Sequence, residues 1–181
     1  MDINRVYLLL ILVLSPDMSW MTSRILCDHR IIQVFVKRTR DLERMAEQCE
    51  EPKILMAPIT LPNVEVRVAK WKNMTVSQQG IEVYSHLNHF LNVTQNMDTC
   101  ECVSQQLKRL KGHITEIQGI VKRTWQKAFN NTDLAQEASF IPSDVISTNS
   151  SDSKDIFHRF ARLLQGKVTF LLQSLREVNC R

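Results

Sequence analysis

Glycine is scarce in this sequence, with 4 among 181 residues, and proline is modest at 5. A sheet-rich domain spends both at its many turns, so the shortage argues against a sandwich or barrel and for long helices. Recognisable catalytic patterns are missing as well: there is no H-E-x-x-H, no G-x-S-x-G and no phosphate-binding loop, and no enzyme is expected. His86 and His89 stand three apart without further ligands at helical spacing, so neither a metal site nor a cofactor is expected. Beyond the first residues no apolar run approaches the roughly 20 residues of a membrane-spanning helix, so membrane insertion is not expected. A formal net charge of +4 is too weak to point to nucleic acid, though it suits an acidic receptor surface or a heparin-like polymer.

What is present begins with a leader. Asp2 to Arg5 is polar, Val6 to Leu14 is continuously apolar, and small and polar residues follow at Ser19, Thr22 and Ser23. This reads as a signal peptide over residues 1–22, followed by one domain over 23–181 that is secreted and extracellular. Five cysteines, Cys27, Cys49, Cys100, Cys102 and Cys180, fall in the exported part, where disulfides are the default and an odd count leaves one thiol over. Four N-x-S/T signals, at Asn73, Asn92, Asn130 and Asn149, agree with export and a glycoprotein.

Four amphipathic stretches follow. Asp28–Gln48 places Ile31, Phe35, Leu42 and Met45 on one face, with Asp28 at the cap position. Val76–Leu91 carries Val76, Val83, Tyr84, Leu87 and Leu91, with Thr75 or Ser77 as cap. Val103–Ala128 is the clearest, because Val103, Leu107, Leu110, Ile114, Ile117 and Val121 alternate steps of four and three. Lys108, Arg109 and Lys111 lie off that stripe as a solvated face, with a glycan or heparin contact as the minor alternative. Asp155–Val178 repeats the pattern through Phe157, Phe160, Leu164, Val168, Leu171, Leu175 and Val178, with Ser153 or Asp155 as cap.

The connections are long, short, long. A short link makes neighbouring helices antiparallel, and a long one lets a helix return and run parallel to the last. The sequence therefore predicts an all-α, up-up-down-down long-chain four-helix bundle with two long crossover loops. Inside the first crossover Val64, Val66 and Val68 alternate with polar residues, which predicts a short strand pairing with the second crossover around Phe140 and Ile141. Trp71 is expected to anchor this crossover on the bundle. The cysteines test the topology. Cys27 and Cys49 are 22 residues apart, about 33 Å along a helix, while bonded cysteines need Cα atoms within about 7 Å. Parallel first and second helices instead pair Cys27 with Cys180 at one end, and Cys49 with Cys100 or Cys102 at the other.

Four stretches carry a family resemblance. Cys27-Asp28-His29-Arg30-Ile31-Ile32 resembles the opening C-D-x-R-V-L of the erythropoietin/thrombopoietin family of cytokines. Residues 59–84, ITLPNVEVRVAKWKNMTVSQQGIEVY, resemble the erythropoietin branch, with Trp-Lys followed by Gln-Gln-x-x-Glu-Val. Residues 156–171, IFHRFARLLQGKVTFL, and the run Cys102-Val103-Ser104 resemble the thrombopoietin branch. The family layout implies that Cys49 pairs with Cys102. It sides with a non-mammalian, fish-like thrombopoietin without a long C-terminal tail, with an erythropoietin-like hormone as the alternative. The resemblance implies a monomeric ligand that binds two copies of a class I cytokine receptor and activates Janus kinases, promoting thrombocyte-lineage or, in the alternative, erythroid growth. It also implies two receptor faces: one with Phe160, Arg162, Gln165, Gly166 and Lys167, where Lys167 offers a surface ammonium to a receptor carboxylate, and one with Asp28, Arg30, Lys37 and Arg40. Val34 and Thr115 stand where the family carries basic residues, and Gln165 where it carries Arg.

Overall fold

A computed structural model describes residues 28, 30–50, 54–128 and 147–179; at 54, 56, 126–128, 147, 178 and 179 only the backbone is described. The leader, Cys27, Cys180, Asn130, Phe140 and Ile141 lie outside the described residues. The elements are α1 (Arg30–Glu47), β1 (Ile54–Pro62), α2 (Val68–Asn73), α3 (Val76–Asn96), α4 (Glu101–Ala128), β2 (Ser147–Asp152), α5 (Lys154–Leu163), a π-helical turn (Leu164–Val168) and α6 (Thr169–Asn179). Helix four is the continuous rod made of α5, the π turn and α6.

Contacts between helices fix their directions. On α1 and α4, Phe35 meets the His113 ring while Cys49 bonds Cys102, so the two run antiparallel. Asn88 of α3 meets Gln118 of α4, and Gly80 meets Trp125, which is again antiparallel. Glu47 and Glu43 of α1 reach Lys154 and His158 near the start of helix four. Phe90 of α3 lies edge-on to Phe160 of α5, with centroids 5.5 Å apart, and His86 approaches Lys167 further along. Helices α1 and α3 therefore rise while α4 and helix four descend, the expected up-up-down-down bundle.

Each helix forms for local reasons that its packing then extends. Thr75 caps α3 reciprocally with Gln78: the hydroxyl accepts from the Gln78 N–H, and the Gln78 side chain accepts from the Thr75 N–H. Asp28 accepts the Arg30 N–H at the start of α1. The α4 stripe is buried along its whole length, from Val103 to Val121. On α1 the buried face is Ile32, Phe35, Val36, Thr39, Leu42 and Ala46, so the expected stripe is rotated: Ile31 is only half-buried and Met45 is 39% exposed. On α3, Tyr84 and Leu91 lie at the edge of the core, while the polar Gln79, Glu82 and His86 are buried. Gly80 admits Trp125 so closely that a Cβ would lie 2.9 Å from the indole.

The two crossovers pair as an antiparallel ribbon, with Ile59 opposite Ser150, Thr60 opposite Asn149 and Leu61 opposite Thr148. This corrects the expected strand. Val64 and Val66 lie after β1 and Val68 opens α2, while the partner strand is Ser147–Asp152. The valine alternation reflects packing of Val64 and Val66 onto the bundle rather than ladder pairing. Trp71 is buried, as expected of an anchor. The bond is Cys49–Cys102, with Cα atoms 6.0 Å apart and a sequence separation of 53. On the chain-entropy model such a loop contributes about 4 kcal/mol.

Candidate receptor-binding faces and the clamp beneath one of them

The centre of helix four departs from α geometry at Leu164–Val168. The Thr169 N–H and hydroxyl both reach back five residues to the Leu164 carbonyl, the hydroxyl at 2.7 Å. The widened turn brings Leu164, Lys167 and Val168 to the interior together. Gly166 sits in the same turn against the first crossover, where a Cβ would fall 2.8 Å from a Val66 methyl.

Lys167 is therefore not the surface ammonium that the resemblance implied; it is 4% exposed. Its ammonium lies 2.6 Å from Glu82 Oε1, donates to the Asn63 carbonyl at 3.2 Å and lies 3.3 Å from His86 Nε2. His86 Nδ1 lies 2.6 Å from the Glu82 carbonyl and Nε2 lies 3.0 Å from the Asn63 carbonyl, so the ring is held between two backbone acceptors beside the ammonium. Burial first, and the Lys167 charge second, hold the His86 pKa below its ordinary value. This cluster joins α3, the first crossover and helix four. A buried charge is tolerable only when paired and hydrogen-bonded, and this one is both. Nearby, His89 Nε2 lies 2.7 Å from the Thr60 carbonyl, and Gln79 donates to the Trp71 carbonyl, so α3 holds the crossover at several points. Glu82, His86 and Asn63 were not among the expected site residues. Their one sequence signal was Glu82 and His86 spaced four apart and each abutting a buried apolar residue, Val83 or Leu87.

Phe160 is fully buried against Phe90 and belongs to the core, a second correction to the expected surface. Arg162 and Gln165 are exposed, and Arg162 meets Glu65 of the crossover at 3.5 Å. An open groove of about 930 Å³ runs between α1 and helix four, and Lys37, Arg40 and Gln165 all line it. Lys37 and Arg40 thus lie with the helix-four residues, not on an opposite face with Asp28 and Arg30. Asp28 and Arg30 pair with each other at 3.2 Å at the exposed start of α1. The flank of α1 toward α4 carries Val34, exposed, and Arg38, which lies 5.7 Å over the Phe35 ring near His113. Burial first, then the Arg38 charge, lowers the His113 pKa. Asn73, Asn92 and Asn149 are all exposed. Among the described residues no group of three or more His, Cys, Asp or Glu is placed to hold a metal, and no helix is long and apolar enough to cross a membrane.

A long-chain up-up-down-down bundle, with a crossover ribbon and a bond from the end of the first helix to the start of the third, defines the class of four-helix cytokines. Within that class, the erythropoietin/thrombopoietin family model matches residues 24–181, and the chain belongs to this family. It is 31% identical to an erythropoietin of Alexandromys oeconomus over 80 residues, 44% of this chain and 42% of that one. It is 25% identical to the erythropoietin of Bos taurus over 156 residues, 81% of this chain and 80% of that one. It is 23% identical to the thrombopoietin of Canis lupus familiaris over 176 residues, 95% of this chain and 47% of that one. The chain thus spans under half the length of most of these curated relatives, though most of the bovine one.

Proposed function

We propose that this family cytokine is a secreted hormone of the thrombopoietin type. It binds two copies of a class I cytokine receptor through different faces and brings their Janus kinases together, promoting growth of the thrombocyte lineage. The observation that carries the reading is the Cys49–Cys102 bond, which ties the end of α1 to the start of α4 in the manner the resemblance associates with the thrombopoietin branch. The match to dog thrombopoietin over 95% of the chain supports it. In this reading the first face is the α1/helix-four groove with the adjoining crossover, presenting Lys37, Arg40, Arg162 and Gln165. Exposed cations there complement an acidic receptor surface and steer its approach. Lys167, Gly166 and Phe160 act from beneath by fixing the shape of that face. The second face is the α1/α4 flank, with Arg38 and Val34, and Asp28 and Arg30 at its end.

An erythropoietin-like hormone is the second reading, favoured by the local matches to erythropoietins at about 30% identity. Factor-dependent cells carrying either the thrombopoietin or the erythropoietin receptor separate the two. Growth with the thrombopoietin receptor is expected; growth with the erythropoietin receptor alone would establish the second reading.

A further inference from the structure

The outer surface of α4 has a composition that the receptor faces leave unexplained. From Glu101 to Ala128 the helix has six basic and two acidic residues, a surplus of four, equal to the formal net charge of the whole chain. Elsewhere several bases meet acids: Lys154 with Glu47, Arg162 with Glu65, Arg44 with Asp41, Lys167 with Glu82. On α4, Lys108, Arg109, Lys111, Lys122 and Arg123 are exposed, and none has an ion pair among the described residues.

Their placement is ordered. At 100° per residue, Lys111 and Lys122 fall along the side of the outer face toward α3, while Arg109 and Arg123 fall along the side toward α1 with Glu116 between them. Lys108 lies near the midline. Between the rows run Gly112, Thr115 and Gly119. Nothing lies within 4 Å of where a Gly112 Cβ would stand. The result is a shallow strip, edged by cations, about 22 Å long from Lys108 to Arg123. Among the described residues the strip has no apolar anchor: the exposed large apolar ones are Val34, Met45, Val68 and Phe170, none of them on α4. Protein interfaces centre on buried aromatic or aliphatic anchors, and membrane-surface helices need an apolar face. Unpaired cations with neither suit an extended polyanion lying along the strip.

We infer that the outer face of α4, with Lys108, Lys111, Lys122 and Arg123 around Gly112 and Gly119, binds a sulfated glycosaminoglycan. The inference rests on the extracellular reading above only in that the protein must meet such chains at a cell surface. Binding there concentrates the hormone near its receptor without occupying the α1/helix-four groove.

The test uses the full secreted chain on immobilised heparin. Wild type is retained at physiological salt and elutes as salt rises, because screening weakens such contacts. A variant combining Lys108→Ser, Lys111→Ser, Lys122→Ser and Arg123→Ser loses affinity about tenfold or more. A second variant, Gly112→Glu with Gly119→Glu, keeps every lysine yet places carboxylates in the strip, and shows a comparable loss. Lys37→Ser with Arg40→Ser leaves retention within twofold of wild type. Growth of receptor-bearing cells lacking glycosaminoglycans is unchanged by Lys108→Ser with Lys111→Ser and Lys122→Ser, which lie on the midline and the α3 side of the strip, away from the α1/α4 flank. Unchanged elution of both α4 variants would overturn the inference. Equal binding to phosphatidylserine vesicles would reassign the strip to lipid, and a parallel loss of growth in those cells would reassign it to the receptor. Retention without any receptor-dependent growth of wild type would sink the hormone reading and leave this one standing.

Discussion

Helix α4 and helix four are both long core helices, yet they are held in different ways. The α4 core positions are apolar and regularly spaced, and every residue of the expected stripe is buried. Helix four carries as regular a stripe but is interrupted at its centre by a π turn that delivers a lysine to the interior. The α4 stripe needs only generic apolar neighbours, since dispersion and hydrophobic burial are not directional. The turn in helix four needs particular partners, Glu82, His86 and the Asn63 carbonyl, contributed by two other elements. A regular stripe can be repacked by many sequences, whereas a buried ammonium tolerates very few surroundings. The specific side of the molecule is also the one beneath the proposed first receptor face.

This contrast makes its strongest prediction at Lys167. Lys167→Ala leaves the Glu82 carboxylate buried and alone, and urea unfolding should show a loss of about 3–5 kcal/mol. The double change Lys167→Met with Glu82→Leu should recover most of it, because the penalty lies in the unpaired charge. On the α4 side, Ile114→Ala should cost about 2–4 kcal/mol, with no recovery from any polar partner change. If both sites behaved as simple cavities, the contrast would be wrong. Acid should separate the two regions more gently. Above about pH 6.5 His86 is neutral whether folded or unfolded; below it the unfolded ring binds a proton that the folded ring resists. Its contribution to stability is therefore full above pH 6.5 and is lost as pH falls toward the lower folded value. His86→Gln should flatten that part of the stability–pH curve, measured as the unfolding midpoint across the same range. The smallest effect belongs to the exposed Arg162–Glu65 pair: Arg162→Ala should change stability by less than about 1 kcal/mol.

The same contrast explains what could be read from the chain. Loop lengths and cysteine positions were enough for the topology, because both are constraints of reach and direction. The α4 stripe was legible to the residue. On α1 the face was misjudged by a fraction of a turn, since Thr39 is buried while Met45 is not, and polarity alone ranks them the other way. Lys167 was misplaced because a lone lysine reads as solvated until its partners are known. Those partners lie 85 residues away at Glu82 and 104 away at Asn63. The strand was misplaced for a related reason: Val64, Val66 and Val68 alternate, but the ladder forms where Ser147–Asp152 can reach, at Ile54–Pro62. Lys37 and Arg40 were grouped with Asp28 and Arg30, whereas both line the α1/helix-four groove, because sequence position does not reveal which side of α1 meets helix four.

The claim that joins structure to function is that the α1/helix-four groove, supported by the Lys167 clamp, is the first receptor face. Surface plasmon resonance against the thrombopoietin-receptor ectodomain, with Arg40→Glu combined with Gln165→Glu, tests it directly. The account predicts an affinity loss of about tenfold or more with an unchanged unfolding midpoint. Wild-type affinity in that variant, with loss on Arg38→Glu instead, would contradict it.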